Sequence, residues 1–165
     1  MQATAEQPTT QRLSSKQIMP FVNSTIRVFT TMVKIKPEIV APVLKEDAKT
    51  TYDVSGVIGF SGEIIGTVVL SFQMEAAQKL VSALVGMDID PETPDFIDAV
   101  GELANMIAGS AKNDLGMKAS IAVPTVIIGK NHMVGRLSGV PCVVIPCRTP
   151  VGDFAVEVNI KPAAV

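Results

Sequence analysis

Apolar residues recur at helical spacing in three segments of the chain, and between these segments they form short alternating or continuous runs typical of strands. The pattern predicts helices over about residues 15–33, 74–85 and 94–115. Their boundaries are marked by residues that favour helix starts and stops, namely Ser14 or Ser15, Thr93 with Pro94, Gly86 and Gly116. The predicted strands are residues 39–45, 52–60, 64–72, 119–128, 140–147 and 154–161.

This order of elements predicts an α/β fold of the two-layer α+β type. We expect a six-stranded, largely antiparallel sheet with the long helices on one face. A helix followed by three strands occurs twice, with an offset of about 82 residues. At that offset Asn23 corresponds to Asn105, whereas Pro20 stands where the second half has Glu102. The pseudo-repeat therefore predicts one complete polar pair in each chain.

Composition narrows the functional classes. The chain is 47% hydrophobic and 18% charged, with a net charge of −2, so we expect a thick apolar core or a buried subunit interface. Residues 1–14 lack an apolar period and are predicted to be a disordered tail, with a single domain over residues 15–165. The apolar runs are too short to span a membrane, and no secretory leader precedes them, which predicts a cytoplasmic protein. The scattered basic residues argue against nucleic-acid binding.

The cysteines and the single histidine do not form a recognisable reactive pattern. Cys142 and Cys147 are five residues apart in a strand-like run, so a regular strand would direct them to opposite faces and a mutual disulfide is not expected. Two cysteines outside a disulfide framework fit a reducing cytoplasm. His132 lies in a predicted loop. We therefore predict neither a Cys/His catalytic pair nor a metal site.

The third predicted helix carries the candidate chemistry. If Glu102 is set at zero on the helix circumference, Asp98, Asn105 and Gly109 all fall within about 60° of it, and the bulky apolar residues fall on the opposite side. Polar residues on an exposed helix face are most often only solvated. However, asparagine disfavours a helix interior, and Gly101 and Gly109 each cost about 0.5–1 kcal/mol there relative to alanine. These features favour a helix surface without bulky side chains, which another molecule can approach closely.

The spacing Asp98-x-x-x-Glu102-x-x-Asn105-x-x-x-Gly109, after the acidic and proline-bearing loop of residues 87–95, resembles the motif of the CheC/CheX/FliY chemotaxis phosphatases. The similarity extends over about residues 15–162, includes a Phe-Val-Asn-Ser segment at residues 21–24, and is greatest to the single-site CheX branch. It implies a phosphatase that hydrolyses the aspartyl phosphate of a response regulator such as CheY.

The resemblance also implies roles for individual residues. Asn105 would orient the attacking water with its amide, and Glu102 would pair with a lysine of the response regulator. Gly101 and Gly109 would contact that partner by letting the two surfaces approach. Asp98 would either contact the partner or support the orientation of Glu102 four residues later, unless it is only a solvated acid. The chain would need no cofactor of its own, because Mg²⁺ would belong to the response regulator. Single-site members of the family imply a homodimer with sheets joined edge to edge.

Two other functions remain compatible with the residues. The first is a non-catalytic binding module of the same fold, which docks on a response regulator or a flagellar component without changing phosphate turnover. The second is a small-molecule hydrolase, which would require a deep pocket with converging polar groups. A flat helix surface of small residues favours the phosphatase or the binding module over the hydrolase.

Overall fold

The three predicted helices are present in the computed structural model, which describes residues 13–164. Helix α1 spans Ser15–Val28 and continues as a π-helical turn, Phe29–Val33; α2 spans Met74–Val85 and α3 spans Pro94–Leu115. The strands are β1 Glu38–Ile39, β2 Val43–Lys45, β3 Val54–Gly62, β4 Ile64–Phe72, β5 Ala119–Ile121, β6 Thr125–Ile128, β7 Cys142–Arg148 and β8 Phe154–Pro162.

The last two residues of the predicted tail take part in the folded structure at the start of α1. Most of that tail, residues 1–12, lies outside the described residues. At its end, however, Leu13 packs against the core, and the backbone N–H of Ser14 donates a hydrogen bond of 2.9 Å to Gln17 Oε1. The helix runs through Pro20 without interruption. Its last predicted turn differs, because the backbone widens at Phe29 into the π-helical turn.

The eight strands form one antiparallel sheet with the order β1-β7-β8-β4-β3-β5, in which β2 also pairs with β7 and β6 also pairs with β3. The sheet therefore has the six predicted positions, but two of the predicted strands are each divided in two. The breaks contain Pro42 and Pro124, and proline has no N–H to donate to a strand ladder. The bounds of the other four strands agree with the prediction to within two residues.

The pairing of the strands follows the predicted pseudo-repeat. The divided strand of the first half, β1 and β2, pairs with β7 of the second half, and the divided strand of the second half, β5 and β6, pairs with β3 of the first. The last strands of the two halves, β4 and β8, pair with each other at the centre. The two halves are thus interlocked through the sheet, and α1 packs against α3 on one face of it.

Alternate residues of β8 face two different environments. Phe154, Val156 and Val158 are buried under the helices, where the ring of Phe154 stacks on Phe29 with centroids 4.3 Å apart. The residues between them point to the other face of the sheet, over which no covering element was predicted from the sequence. Two loops, residues 46–53 and 129–141, cover that face and form hydrogen bonds to the strands beneath them.

A buried carboxylate on this second face connects the two loops. Glu157 is 1% exposed and pairs with Arg136 at 2.7 Å and with Lys45 at 3.3 Å. It also accepts hydrogen bonds of 2.7 Å from the backbone N–H and the hydroxyl of Thr51. Two cations and two neutral donors satisfy the buried charge, so the carboxylate holds both loops against the sheet.

Candidate functional site

Small residues bring α3 close to the strands beneath it. A Cβ added to Gly56 of β3 would lie 2.8 Å from the Cβ of Ala104, which is closer than side chains approach. A Cβ added to Gly101 would lie 3.3 Å from the Pro124 side chain and 3.5 Å from that of Val126. The glycines therefore set the depth at which α3 rests on β3 and on the break between β5 and β6.

Contacts between α1 and α3 fix the helix laterally. The buried hydroxyl of Ser24 donates a hydrogen bond of 2.6 Å to the backbone carbonyl of Ile107, two residues after Asn105. Closer to the end of α3, Arg27 pairs with Asp114 at 2.8 Å and also bonds to Ser110. These contacts could not be predicted from the sequence, because nothing in the local pattern relates residues more than 80 positions apart.

The acid and the amide of the motif project from the free side of this anchored helix. Glu102 and Asp98 are exposed, and Asn105 is half-buried. Within residues 13–164 none of the three side chains makes a hydrogen bond or an ion pair with another residue. Since the described residues contain no buried side-chain oxygen or nitrogen without a partner, the amide of Asn105 is accessible to solvent. We call Glu102, Asn105 and Asp98 the polar ridge.

The two glycines of the predicted partner surface differ from each other. Gly101 is buried, and its missing Cβ makes room for Pro124 of the same chain, so the expectation that it faces a partner is wrong. It lies about 100° from Glu102 around the helix, which directs it to the sheet. Gly109 is half-buried, and a Cβ there would meet only the Ile121 side chain at 3.7 Å. It remains a candidate for contact with a partner.

The corresponding helix of the first half lacks such a ridge. Asn23 is exposed on α1, as Asn105 is partly exposed on α3. Pro20, at the position that corresponds to Glu102, is buried. The first half therefore presents an amide without an accompanying carboxylate.

A groove that the sequence analysis did not predict begins at the ridge. It has a volume of about 600 Å³ and lies between the end of α2, the loop of residues 86–93 and the first turns of α3. Asp98 and Glu102 belong to both the ridge and the groove. The acidic composition of the loop is visible in the sequence, but its position beside Glu102 depends on how α2 packs against α3.

The reactive side chains considered in the sequence analysis lie elsewhere. Both cysteines are free, and both are buried. Burial raises the pKa of the Cys142 thiol to about 11 and that of the Cys147 thiol to about 12. Both are therefore protonated at neutral pH and are poor nucleophiles. The ring of His132 contacts the carbonyl of Gly129 at 2.7 Å and the Ser55 hydroxyl at 2.8 Å, so its nitrogens are engaged in holding a loop.

Two further observations concern membranes and metals. None of the helices in the described part of the chain combines the length and the apolar character needed to cross a bilayer. Over residues 13–164, no three histidine, cysteine, aspartate or glutamate side chains are grouped so that they could hold a metal ion.

Comparison with known proteins identifies the family. The family model described as chemotaxis phosphatase CheX matches residues 54–148, more than half of the chain, and the chain belongs to this family. A protein of Thermotoga maritima named CheY-P phosphatase CheX is 28% identical over 123 residues, which cover 72% of this chain and 79% of that protein. The resemblance inferred from the motif is thus confirmed.

Solved structures agree with the fold. The crystal structure of a chemotaxis protein CheX from Desulfovibrio desulfuricans is 34% identical, with a TM-score of 0.79, and the match covers 90% of this chain and 99% of that one. A CheX–CheY–BeF₃–Mg²⁺ complex from Borrelia burgdorferi matches with 24% identity and a TM-score of 0.74, over 91% of this chain and 99% of that one. At that identity the second likeness concerns the fold alone.

Proposed function

We propose that this protein is a phosphatase that hydrolyses the aspartyl phosphate of a CheY-type response regulator. The observation that carries the proposal is the polar ridge, in which an amide and a carboxylate three residues apart stand free on an anchored helix. Membership of the CheX family supports it, as does the name of the Thermotoga maritima relative, a CheY-P phosphatase. The Borrelia burgdorferi complex, whose name joins CheX to CheY, supports the same kind of partner.

In the proposed reaction the ridge enters the active site of the response regulator. The Asn105 amide oxygen accepts a hydrogen bond from a water molecule and holds it in line with the phosphorus atom. The water oxygen forms the new bond to phosphorus while the bond to the aspartyl oxygen breaks, which releases inorganic phosphate and regenerates the aspartate. Such a transfer depends on positioning and on charge balance.

Glu102 has a docking role in this proposal. Its exposed carboxylate pairs with a lysine of the response regulator and so fixes the register of α3 against the phosphorylated aspartate. Mg²⁺ belongs to the response regulator in this scheme. Asp98 and Gly109 lie on the same stripe and are proposed as further contacts. The buried free thiols are consistent with action in a reducing cytoplasm.

The decisive experiment follows phosphoryl decay on a CheY receiver from the same genome, alone and with catalytic amounts of the protein. Wild type should accelerate decay, and Asn105→Ala should lower kcat by about 100-fold, because the water loses its orientation. Glu102→Lys should return decay to the spontaneous rate, because it opposes two cations at the docking point. Asn23→Ala is the matched control, since it removes an exposed asparagine from the corresponding helix.

Two results would contradict the proposal. If wild type binds the phosphorylated receiver but does not accelerate decay, the protein is a binding module. If Asn105→Ala and Asn23→Ala behave alike while wild type is active, the catalytic amide lies elsewhere.

We further propose that two copies of the chain join through β2. This strand lies at an edge of the sheet and pairs only with β7 in the described part of the chain. Val43 and Leu44 are 53% and 65% exposed beside Met19, which gives the edge an apolar border. Two β2 strands in antiparallel contact would bury this apolar border about a twofold axis.

In sedimentation equilibrium Leu44→Lys should reduce the mass to that of a monomer, and Met133→Lys should not. A monomeric wild type would refute this.

A further inference from the structure

The groove beside the polar ridge has an unusual combination of walls. Its apolar part is formed by Val85, Met87, Ile89 and Ala99, and Met87 is 68% exposed. Its polar part contains five carboxylates, those of Asp88, Asp90, Asp95, Asp98 and Glu102. The flexible side chain of Met87 can adapt to an apolar side chain of a partner, and the carboxylates attract a cation beside it.

The negative charge of the groove is not balanced from within the protein. No lysine, arginine or histidine lines it, and none of its carboxylates belongs to an ion pair in the described residues. One of them has a local role, because Asp90 accepts a hydrogen bond of 2.9 Å from the backbone of Glu92 and so shapes the loop. The other four remain available to a partner. Five like charges around one groove repel one another, and an external cation would relieve that repulsion.

The groove is also continuous with the proposed catalytic surface. Glu102 stands at its border and belongs to the ridge, so a protein that docks on Glu102 extends over the mouth of the groove. The loop of residues 86–93 is held in place from below, since Ile89 is buried and its N–H donates a hydrogen bond of 3.0 Å to the Ser82 hydroxyl. A loop fixed in this way presents Met87 and Asp88 in a defined position.

We propose that this groove is a specificity site of the phosphatase, which binds a basic and apolar segment of the response regulator next to its phosphorylation site. The segment carries a lysine or arginine for Asp88 and Asp95 and an apolar side chain for Met87 and Val85. This inference rests on the proposed function. The groove selects among receivers that share the same active-site chemistry, because electrostatic complementarity outside the reacting atoms determines encounter and partner choice more than it determines the chemical step.

The test compares two groove variants with two matched controls. Asp88→Asn removes one charge and Met87→Ala removes the exposed apolar side chain. Glu75→Gln removes an exposed charge at the other end of α2, about 15 Å along the helix, and Met133→Ala removes a methionine that is 66% exposed in a loop on the opposite face of the sheet. Initial rates of receiver dephosphorylation are measured against receiver concentration at low and at high salt.

Both groove variants should raise KM by about three- to tenfold with unchanged kcat, and the controls should behave like wild type. High salt should abolish the effect of Asp88→Asn and leave that of Met87→Ala in place, because salt screens charge and not apolar contact. The same variants should weaken binding of the CheY receiver loaded with beryllofluoride and Mg²⁺ by a similar factor.

The outcomes separate this inference from the function on which it rests. If wild type is active and the groove variants match their controls in KM and in binding, the specificity site is refuted and the phosphatase stands. If wild type binds the beryllofluoride-loaded receiver without accelerating decay, the phosphatase is refuted, and the binding constants of the variants still decide whether the groove is a docking site. If wild type does not bind that receiver, both proposals fail.

Discussion

The contact between Gly56 and Ala104 should control both the stability of the protein and the position of the amide of Asn105, which we propose to be catalytic. In Gly56→Ala the new Cβ would lie 2.8 Å from the Ala104 Cβ, whereas ordinary contacts begin at 3.4 Å, so a separation of α3 from β3 by about 0.6 Å would be needed to restore an ordinary contact. Overpacking of this kind destabilises a core by about 1–3 kcal/mol. Asn105 follows Ala104 directly and moves with it, and a displacement of about 1 Å lowers the rate by up to about 100-fold.

The assay combines urea unfolding with the receiver decay measurement. Gly56→Ala should lower the free energy of unfolding by about 2 kcal/mol and kcat by tenfold or more. Gly59→Ala is the matched control in the same strand, because its Cβ would meet only the Ala122 Cβ at an ordinary 3.6 Å. Adding Ala104→Gly to Gly56→Ala removes the close contact and should restore most of kcat, even though glycine weakens the helix by about 1 kcal/mol.

One result would refute the reasoning outright. If Gly56→Ala unfolds at the same urea concentration as wild type and retains its kcat, the spacing between α3 and β3 does not hold the amide in place. A loss of activity that the added Ala104→Gly fails to reverse would also contradict it, since the close contact would then not be the cause.

Three further predictions concern burial. Glu157→Gln should lower the free energy of unfolding in urea by about 3 kcal/mol, because it leaves two cations without their buried anion. Glu46→Gln, on the exposed surface, is the control and should change the free energy of unfolding little. A loss below about 1 kcal/mol in Glu157→Gln would contradict this prediction. The thiols of Cys142 and Cys147 have a pKa near 9 in the unfolded chain, but burial raises the pKa to about 11 and about 12 in the folded protein. The free energy of unfolding should therefore fall as the pH rises from 9 to 12, because the unfolded chain loses these protons first. The fall should be less steep in the variant with both cysteines changed to alanine, and equal slopes would exclude the thiols as its cause. Ser24→Ala should lower stability by about 1 kcal/mol through loss of its hydrogen bond to α3, measured by thermal unfolding, and an unchanged Tm would show that this bond contributes nothing net.

The parts of the fold that depend on local signals could be predicted from the sequence. Helix α3 begins at Pro94 and ends before Gly116, as its boundary residues indicate. The division of two strands was harder to predict, because Pro42 and Pro124 stand in runs that otherwise favour continuous pairing. The widened turn at Phe29 could not be predicted, since its apolar residues fit a regular helix equally well.

The same distinction applies to the candidate site. The free orientation of Glu102 and Asn105 follows from helical spacing, which is a local property. The misassignment of Gly101 has a different origin, because the residue that occupies the space beside it, Pro124, comes from a distant part of the chain. The groove and the cover of the second sheet face likewise arise from long-range packing, so their residues could be seen in the sequence but not brought together.

Because Pro20 is buried, the first half of the chain cannot gain the missing carboxylate by one substitution at that position. A single substitution that introduced glutamate at residue 20 would copy the acid of the second half, but it would place an unpaired carboxylate inside the protein, where a charge is strongly disfavoured. Asn23 therefore cannot gain an exposed acid beside it, as Asn105 has in Glu102, by that substitution alone. The first helix would have to rotate about its axis before an acid at residue 20 could stand beside Asn23 on the exposed side.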